Sequence, residues 1–360
     1  MNSADSFSPD YQSARTKFRA AATAAGGVLD SLTHPERGPD GGDLTTDVAW
    51  FGPKDAPAVL VTISGTHGVE GFCGSGAQVD WLQRGYAAGL PGGVAVLMIH
   101  AINPYGFAWL RRVTHENVDL NRNWIDFSAP LPANAGYELL ADAIGPSEWT
   151  PEAQAASFQV LGGFMAQHGM MAAQQAMSGG QYSHPKGIFY GGSGPTWSRK
   201  TQTAIFEQYL KNAARVGIID YHTGLGPWGF GEQIVTDTPG TPGFERARAW
   251  YGGAVTCPST GNSTSADIVG DGLAAAPVIL AQAEVTGMAL EVGTQEVMAV
   301  LNALRADAWL HAYGDLDSDQ GRAIKAQIRT AFYGDADDWK GMVAGQSLLA
   351  CKQAIAGLAG

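Results

Sequence analysis

The feature that most restricts this chain is a set of short apolar runs, each broken by a glycine- or proline-rich turn. Val94-Ala95-Val96-Leu97-Met98-Ile99-His100 carries no polar residue until its last position. Such a run suits a strand covered on both faces of a sheet, and neither an amphipathic helix nor a half-exposed strand. Ala58-Val59-Leu60-Val61-Thr62-Ile63 and Val216-Gly217-Ile218-Ile219 have the same character, and both feed clusters of Gly, Ser, Thr or Pro that read as loops. Gly287-Met288-Ala289-Leu290-Glu291-Val292-Gly293 and Val278-Ile279-Leu280 read as two further strands, with shorter ones at Asp47-Val48-Ala49-Trp50-Phe51 and Glu232-Gln233-Ile234-Val235.

Stretches of helical period lie between these runs. Ala14, Phe18, Ala21 and Ala22 line one face before Gly26-Gly27 stops the first helix, and Ala77, Trp81 and Leu82 do the same after the Ala58 run. Residues 30–42, polar and rich in Pro and Gly, read as a loop. Strands alternating with helices predict an α/β fold. We expect a single domain over residues 1–360, with a mixed, mostly parallel sheet of about eight strands flanked by helices on both faces. Residues 128–198 alternate Ala/Gln-rich helical stretches with glycine-rich breaks and read as a lid-like insertion.

Of the 360 residues, 45% are hydrophobic and 16% charged, enough for a sizeable core. The formal net charge of −12 excludes the basic stripe of a nucleic-acid binder and disfavours an anionic membrane surface. Three cysteines, Cys73, Cys257 and Cys351, are too few and odd in number for a disulfide framework. The first residues have neither a basic nor an apolar leader pattern, so a cytoplasmic location is expected.

Three run ends deliver polar residues at a glycine break, where ligands gather in open α/β sheets. The first gives Gly65-Thr66-His67-Gly68-Val69-Glu70. The second gives Asn103-Pro104-Tyr105-Gly106, then Arg111-Arg112 and Asn117-Val118-Asp119-Leu120-Asn121-Arg122-Asn123. The third gives Asp220-Tyr221-His222. Two histidines and one carboxylate with an open position are the protein ligands of a catalytic zinc hydrolase. Asp220, two residues before His222 and on the same side of a strand, is placed to hydrogen-bond its imidazole.

This order of motifs resembles the zinc carboxypeptidase (funnelin) superfamily, which includes both digestive carboxypeptidases and the deacylases aspartoacylase and succinylglutamate desuccinylase. The resemblance runs from about Ala58 to Gly293 and is most specific over residues 103–124. It implies one Zn²⁺ per chain on His67, Glu70 and His222. It implies Glu291 as the base that activates water, and Arg112 or its neighbour Arg111 as the group that polarises a carbonyl. Asn121 and Arg122 would hold a substrate carboxylate. The expected activity is metal-dependent hydrolysis of an amide bond beside a free carboxylate, in a small peptide or, as the alternative, in an N-acyl amino acid. A non-catalytic zinc- or peptide-binding protein is the reading from another class.

Glu291 also stands out on its own. A carboxylate inside Met288-Ala289-Leu290-Glu291-Val292 must be paired, protonated or functional, because burying it alone costs several kcal/mol. Arg111 and Arg112 also fit a solvated pair, and His100 fits a satisfied core histidine. A tyrosine over the substrate is expected from the resemblance, with Tyr251 as the candidate and Tyr221, Tyr182 and Tyr190 as rivals.

Overall fold

The computed structural model describes residues 2–360. The first helix, α1 (Tyr11–Ala24), is followed by two strands, β1 (Val28–Arg37) and β2 (Asp43–Phe51). Then come β3 (Ala58–Ile63), α2 (Gly71–Gln83), β4 (Val94–His100) and the short α3 (Pro104–Ala108). Three helices follow: α4 (Ala135–Ile144), α5 (Pro151–His168) and α6 (Met170–Ser178). The sheet resumes after α7 (Trp197–Tyr209) with β5 (Arg215–Thr223) and β6 (Gly231–Ile234). After α8 (Pro242–Tyr251) and α9 (Gly272–Ile279) comes β7 (Glu284–Val292). The chain ends in α10 (Val297–Tyr313), α11 (Asp319–Phe332) and α12 (Asp337–Ala359).

The strands form one sheet in the order β1-β2-β4-β3-β5-β7-β6. The four central strands β4, β3, β5 and β7 are parallel, while β1, β2 and β6 are antiparallel to their neighbours. The apolar runs occupy the centre because successive side chains face opposite layers. Val59, Val61 and Ile63 pack with Ile205 and Phe206 of α7 and Leu273 of α9. Ala58 and Leu60 pack with Phe18 of α1, Phe72 of α2 and Leu358 of α12. Helices therefore cover both faces, as the doubly apolar runs require.

Two expectations change. Residues 30–42 are not all loop, since β1 pairs with β2 across Val28–Thr33. As an edge strand it buries little, so its polar composition hid it. Val278-Ile279-Leu280 ends α9, which carries Pro277 and leaves Val278 on the surface. With that run lost and β1 gained, the sheet has seven strands where about eight were expected. Residues 128–198 hold α4 to α6, packed through Tyr137, Leu140 and Ile144 against Val300, Leu304 and Phe332. Among the described residues no helix is long and apolar enough to cross a membrane.

His100 is a core residue, as its context suggested. Its ring stacks on Phe18 at 4.5 Å and its Nε2 lies 2.9 Å from Ser75 Oγ. Burial holds it neutral, lowering its pKa from 6.5 to about 4. Between those values the unfolded chain binds more protons than the folded one, so stability rises with pH. The contribution is complete above about 6.5 and is lost as pH falls towards about 4. The gap is worth up to roughly 3 kcal/mol. Urea unfolding of a His100→Gln variant between pH 7 and 4 should show a correspondingly shallower loss of stability than the wild type. Parallel curves would show that His100 does not titrate this way.

Candidate metal centre

The centre lies at the carboxyl ends of β3, β5 and β7. After β3 the chain turns through Gly65, whose φ of 69° suits glycine, and enters a single turn, Gly68–Glu70, that leads into α2. This turn is tied to the arginine pair by its backbone: Gly68 N donates to Arg112 O at 3.0 Å and Val69 N to Arg111 O at 2.8 Å. A side chain on Gly68 would meet the Gly106 carbonyl carbon at 2.0 Å, so this approach needs glycine. Asn103 caps α3 by accepting from Gly106 N at 2.9 Å. The Asn-Pro-x-Gly block thus builds the floor on which the His-Gly-x-Glu turn rests.

Tertiary structure brings His67, Glu70 and His222 together, with one donor atom from each lying within 4.8 Å of the others. His67 Nδ1 is 2.9 Å from Glu70 Oε1, and His222 Nδ1 is 3.1 Å from Glu70 Oε2. The two Nδ1 atoms are 3.1 Å apart. Each imidazole turns its Nε2 outward to a carboxylate: His67 to Asp119 Oδ1 at 3.1 Å, His222 to Asp220 Oδ2 at 2.9 Å. With Nε2 donating to those carboxylates, both Nδ1 atoms point lone pairs at one spot beside Glu70. Two lone pairs and a carboxylate facing each other repel unless a cation joins them. Ligands about 2.0–2.1 Å from a tetrahedral zinc lie roughly 3.4 Å from one another, close to the spacing found here.

The supporting groups are themselves fixed. Thr66 Oγ1 donates to Asp220 Oδ1 at 2.8 Å. Arg112 bridges the two acids at the centre, with Nη1 on Glu70 Oε1 at 2.9 Å and Nε on Asp119 Oδ2 at 3.0 Å. Burial alone would raise the Glu70 and Asp119 carboxyls. Their neighbours outweigh it, His67 first and Arg112 with it for Glu70, Arg112 first and His67 with it for Asp119, and both stay ionised. Burial opposes the charged form of His222, but Asp220 and Glu70 overcome it and raise its affinity for a proton, which would compete with a metal for Nδ1.

Glu291 stands directly across from His222 in the parallel pairing of β5 with β7. Residues in register on adjacent strands share a face, so the carboxyl is carried to the side of the centre. Burial and the charge of Glu70 push its pKa from 4.5 up to about 7, while Leu225 N donates to its Oε1 at 2.9 Å.

The remaining predicted residues divide. Arg112 belongs to the centre and Arg111 does not. Arg111 turns to Asp307 and to Asn117 Oδ1, in a separate buried cluster with Lys325. Asn121 borders the centre, its Nδ2 3.5 Å from His222 Nε2. Arg122 is enclosed: it donates to the carbonyls of Asn121 and Ser178, and Gly180 packs on its side chain. It therefore offers no open face to a substrate carboxylate in this conformation. Tyr251 is a correction. It is buried in the core beside Cys351 and Leu358 of α12, where α8 packs on that helix. Tyr221 alternates away from His222 and bonds Ser347 in the same layer. Tyr182 donates to Arg122 O at 2.6 Å.

Sequence reasoning gave no role to Asp119 or Phe189. Asp119 was within reach, because it starts the Asp-Leu-Asn-Arg turn and caps it through Asn121 N at 2.9 Å. Phe189 carried no local signal; its ring meets Arg112 and Arg122 only through the fold.

The family model described as "Protein of unknown function (DUF2817)" matches residues 7–346. No curated protein matches the sequence. Among solved structures, bovine thrombin-activatable fibrinolysis inhibitor, in complex with tick carboxypeptidase inhibitor, aligns over 98% of this chain and 97% of its own. Its TM-score is 0.51 at 10% identity, so the two share a fold. Carboxypeptidase A from Helicoverpa armigera aligns over 89% of this chain and 73% of its own, with a TM-score of 0.45 and 11% identity. An aspartoacylase family protein from Mesorhizobium loti covers 81% and 68%, with a TM-score of 0.38 and 14% identity.

Proposed function

We propose a function from the premise that the chain belongs to the DUF2817 family: it is a zinc-dependent hydrolase of an amide bond next to a free carboxylate. The observation that carries this reading is the convergence of the His67 and His222 Nδ1 atoms and the Glu70 carboxylate, with Glu291 in register beside them. The carboxypeptidase-like fold supports it.

His67, Glu70 and His222 would hold the ion. Zinc bound there would supply Lewis acidity to a carbonyl oxygen and make water easier to deprotonate near neutral pH. Asp119 and Asp220 hold the two imidazoles in the tautomer that leaves Nδ1 free. Glu291 accepts the proton of the attacking water, and its carboxyl is tuned towards about 7 for that exchange. Having taken the proton, it returns it to the leaving nitrogen. Arg112, fixed at Nε and Nη1, turns its remaining guanidinium face to the carbonyl oxygen. There it stabilises developing negative charge more than the neutral substrate. Asn121 borders the substrate space. Arg122 anchors a carboxylate only when the segment 178–191 moves off it.

An N-acyl amino acid and a small peptide both carry the free carboxylate that this reading requires. The test is a panel of N-acyl amino acids beside dipeptides with free and blocked carboxyl ends. Activity on blocked peptides alone would remove the carboxylate requirement.

Metal removal tests the centre itself. A chelator should abolish turnover, and added zinc at about 100 times its Kd should restore it and stabilise the fold by about 2.7 kcal/mol. Thermal melting with and without zinc checks this. A chain that holds no metal when purified and shows no melting shift with zinc would end the proposal.

A further inference from the structure

We propose that Phe189 is a positioning residue of the candidate centre, its ring holding the guanidinium groups of Arg112 and Arg122 in place. Arg112 Cζ lies 5.5 Å from the ring centroid and Arg122 Cζ lies 5.4 Å from it. An aromatic face attracts cations, and this one ring is within reach of both guanidinium groups.

The backbone supports a specific role for this side chain. Phe189 has a φ of 55°, a left-handed conformation that bulky residues rarely adopt and glycine adopts freely. The segment is nevertheless pinned in place. Gln181 N donates to Phe189 O at 3.1 Å, and Asp119 N donates to Tyr190 O at 2.8 Å. Asp119 is the carboxylate that holds both His67 and Arg112. The chain thus accepts an unfavourable backbone conformation where an aromatic ring is delivered, 7% exposed, to the two arginines.

The consequence for chemistry rests on the hydrolase reading. Arg112 uses Nη1 on Glu70 and Nε on Asp119. Among the described residues its Nη2 has no hydrogen-bond partner, leaving it for a substrate oxygen. A metal ion on Glu70 would weaken the Nη1 contact, leaving the Nε contact to Asp119 and the ring of Phe189 as the two restraints on where Nη2 points. Losing the ring should lower kcat, where charge develops on the carbonyl, more than it raises KM.

The experiment compares Phe189→Leu, Phe189→Tyr and Phe189→Gly with the wild type, all full length and zinc-loaded. Arginine-selective NMR of the Nε–Hε groups reads rotation about the Nε–Cζ bonds of Arg112 and Arg122 without needing turnover. Hydrolysis of N-benzoylglycyl-L-phenylalanine and N-acetyl-L-aspartate reads kcat and KM per bound zinc. We expect Leu and Gly to speed both rotations about tenfold and to cut kcat about tenfold with KM within twofold. Tyr should behave as the wild type. Unchanged rotation in Phe189→Leu overturns the proposal. So does a lowered melting temperature with unchanged kcat per zinc, which is what a purely structural residue would give, and so does a Phe189→Gly variant as active as the wild type. If the wild type hydrolyses neither amide, the hydrolase reading fails for these substrates, and the rotation rates alone sustain or overturn the positioning role.

Discussion

Replacing Glu291 with glutamine is expected to leave the metal in place and lower kcat about 10²–10⁴-fold, the usual range for a lost general base. Glutamine keeps the volume and the acceptor that receives Leu225 N, so the loop after β5 should stay where it is. It removes the ionisable group that burial and the charge of Glu70 hold near 7. Thermal stability should be equal or higher, because a buried carboxylate no longer has to ionise. The pH profile gives a second readout. The base works ionised, so kcat/KM of the wild type should fall as pH drops below about 7. A bound cation would move that limb lower, and the residual activity of the variant should lack it. Equal zinc content with near wild-type kcat in Glu291→Gln would mean that another group takes the proton.

Asp119→Asn should have the second largest effect. One oxygen of Asp119 accepts from His67 and Asn121 N, and the other accepts from Arg112 Nε. Asparagine sets an NH₂ against one of these donors and removes the charge that balances Arg112. Breaking a buried pair on one side costs about 3–5 kcal/mol. Loss of the carboxylate behind a ligating imidazole typically weakens metal binding by about 10–100-fold. A zinc competition titration on the folded variant checks the second figure and chemical denaturation the first. Zinc affinity equal to the wild type would show that Asp119 does not orient His67 for a metal. The parallel change, Asp220→Asn, leaves Arg112 balanced and should cost less stability for a similar loss of affinity.

Much of the sheet was legible because its central strands are covered on both faces. Runs such as Val94–His100 have nowhere else to go, and the helices between them marked the fold as α/β; the strand order came only with the structure. The edges were less legible. In β1, a polar strand pairs through its backbone, which no side-chain pattern reports. At Val278-Ile279-Leu280, three apolar residues close a short helix, and periodicity cannot separate a strand from a helix end over so few positions. At the centre, local motifs pointed to His67, Glu70 and Asn121, and Glu291 stood out as a carboxylate in an apolar run. Arg111 and Arg112 could not be told apart from composition. Neighbours on a turn face opposite ways, and only packing sent one to Glu70 and the other to Asp307.

The amino-acid order by itself determined the class of fold, the strands that carry the centre, and the residue types able to hold a divalent ion. These follow from hydrophobic periodicity and donor chemistry, which act over a few residues. Tertiary structure alone decided that His67 and His222, 155 residues apart, point Nδ1 inward at 3.1 Å. It also placed Asp119 behind both His67 and Arg112, enclosed Arg122, sent Tyr251 into the core, and set Phe189 beside two arginines. Those outcomes depend on how β3, β5 and β7 align and on what packs above their ends. Contacts between residues far apart in the chain come from the geometry of the whole fold, to which no local pattern has access.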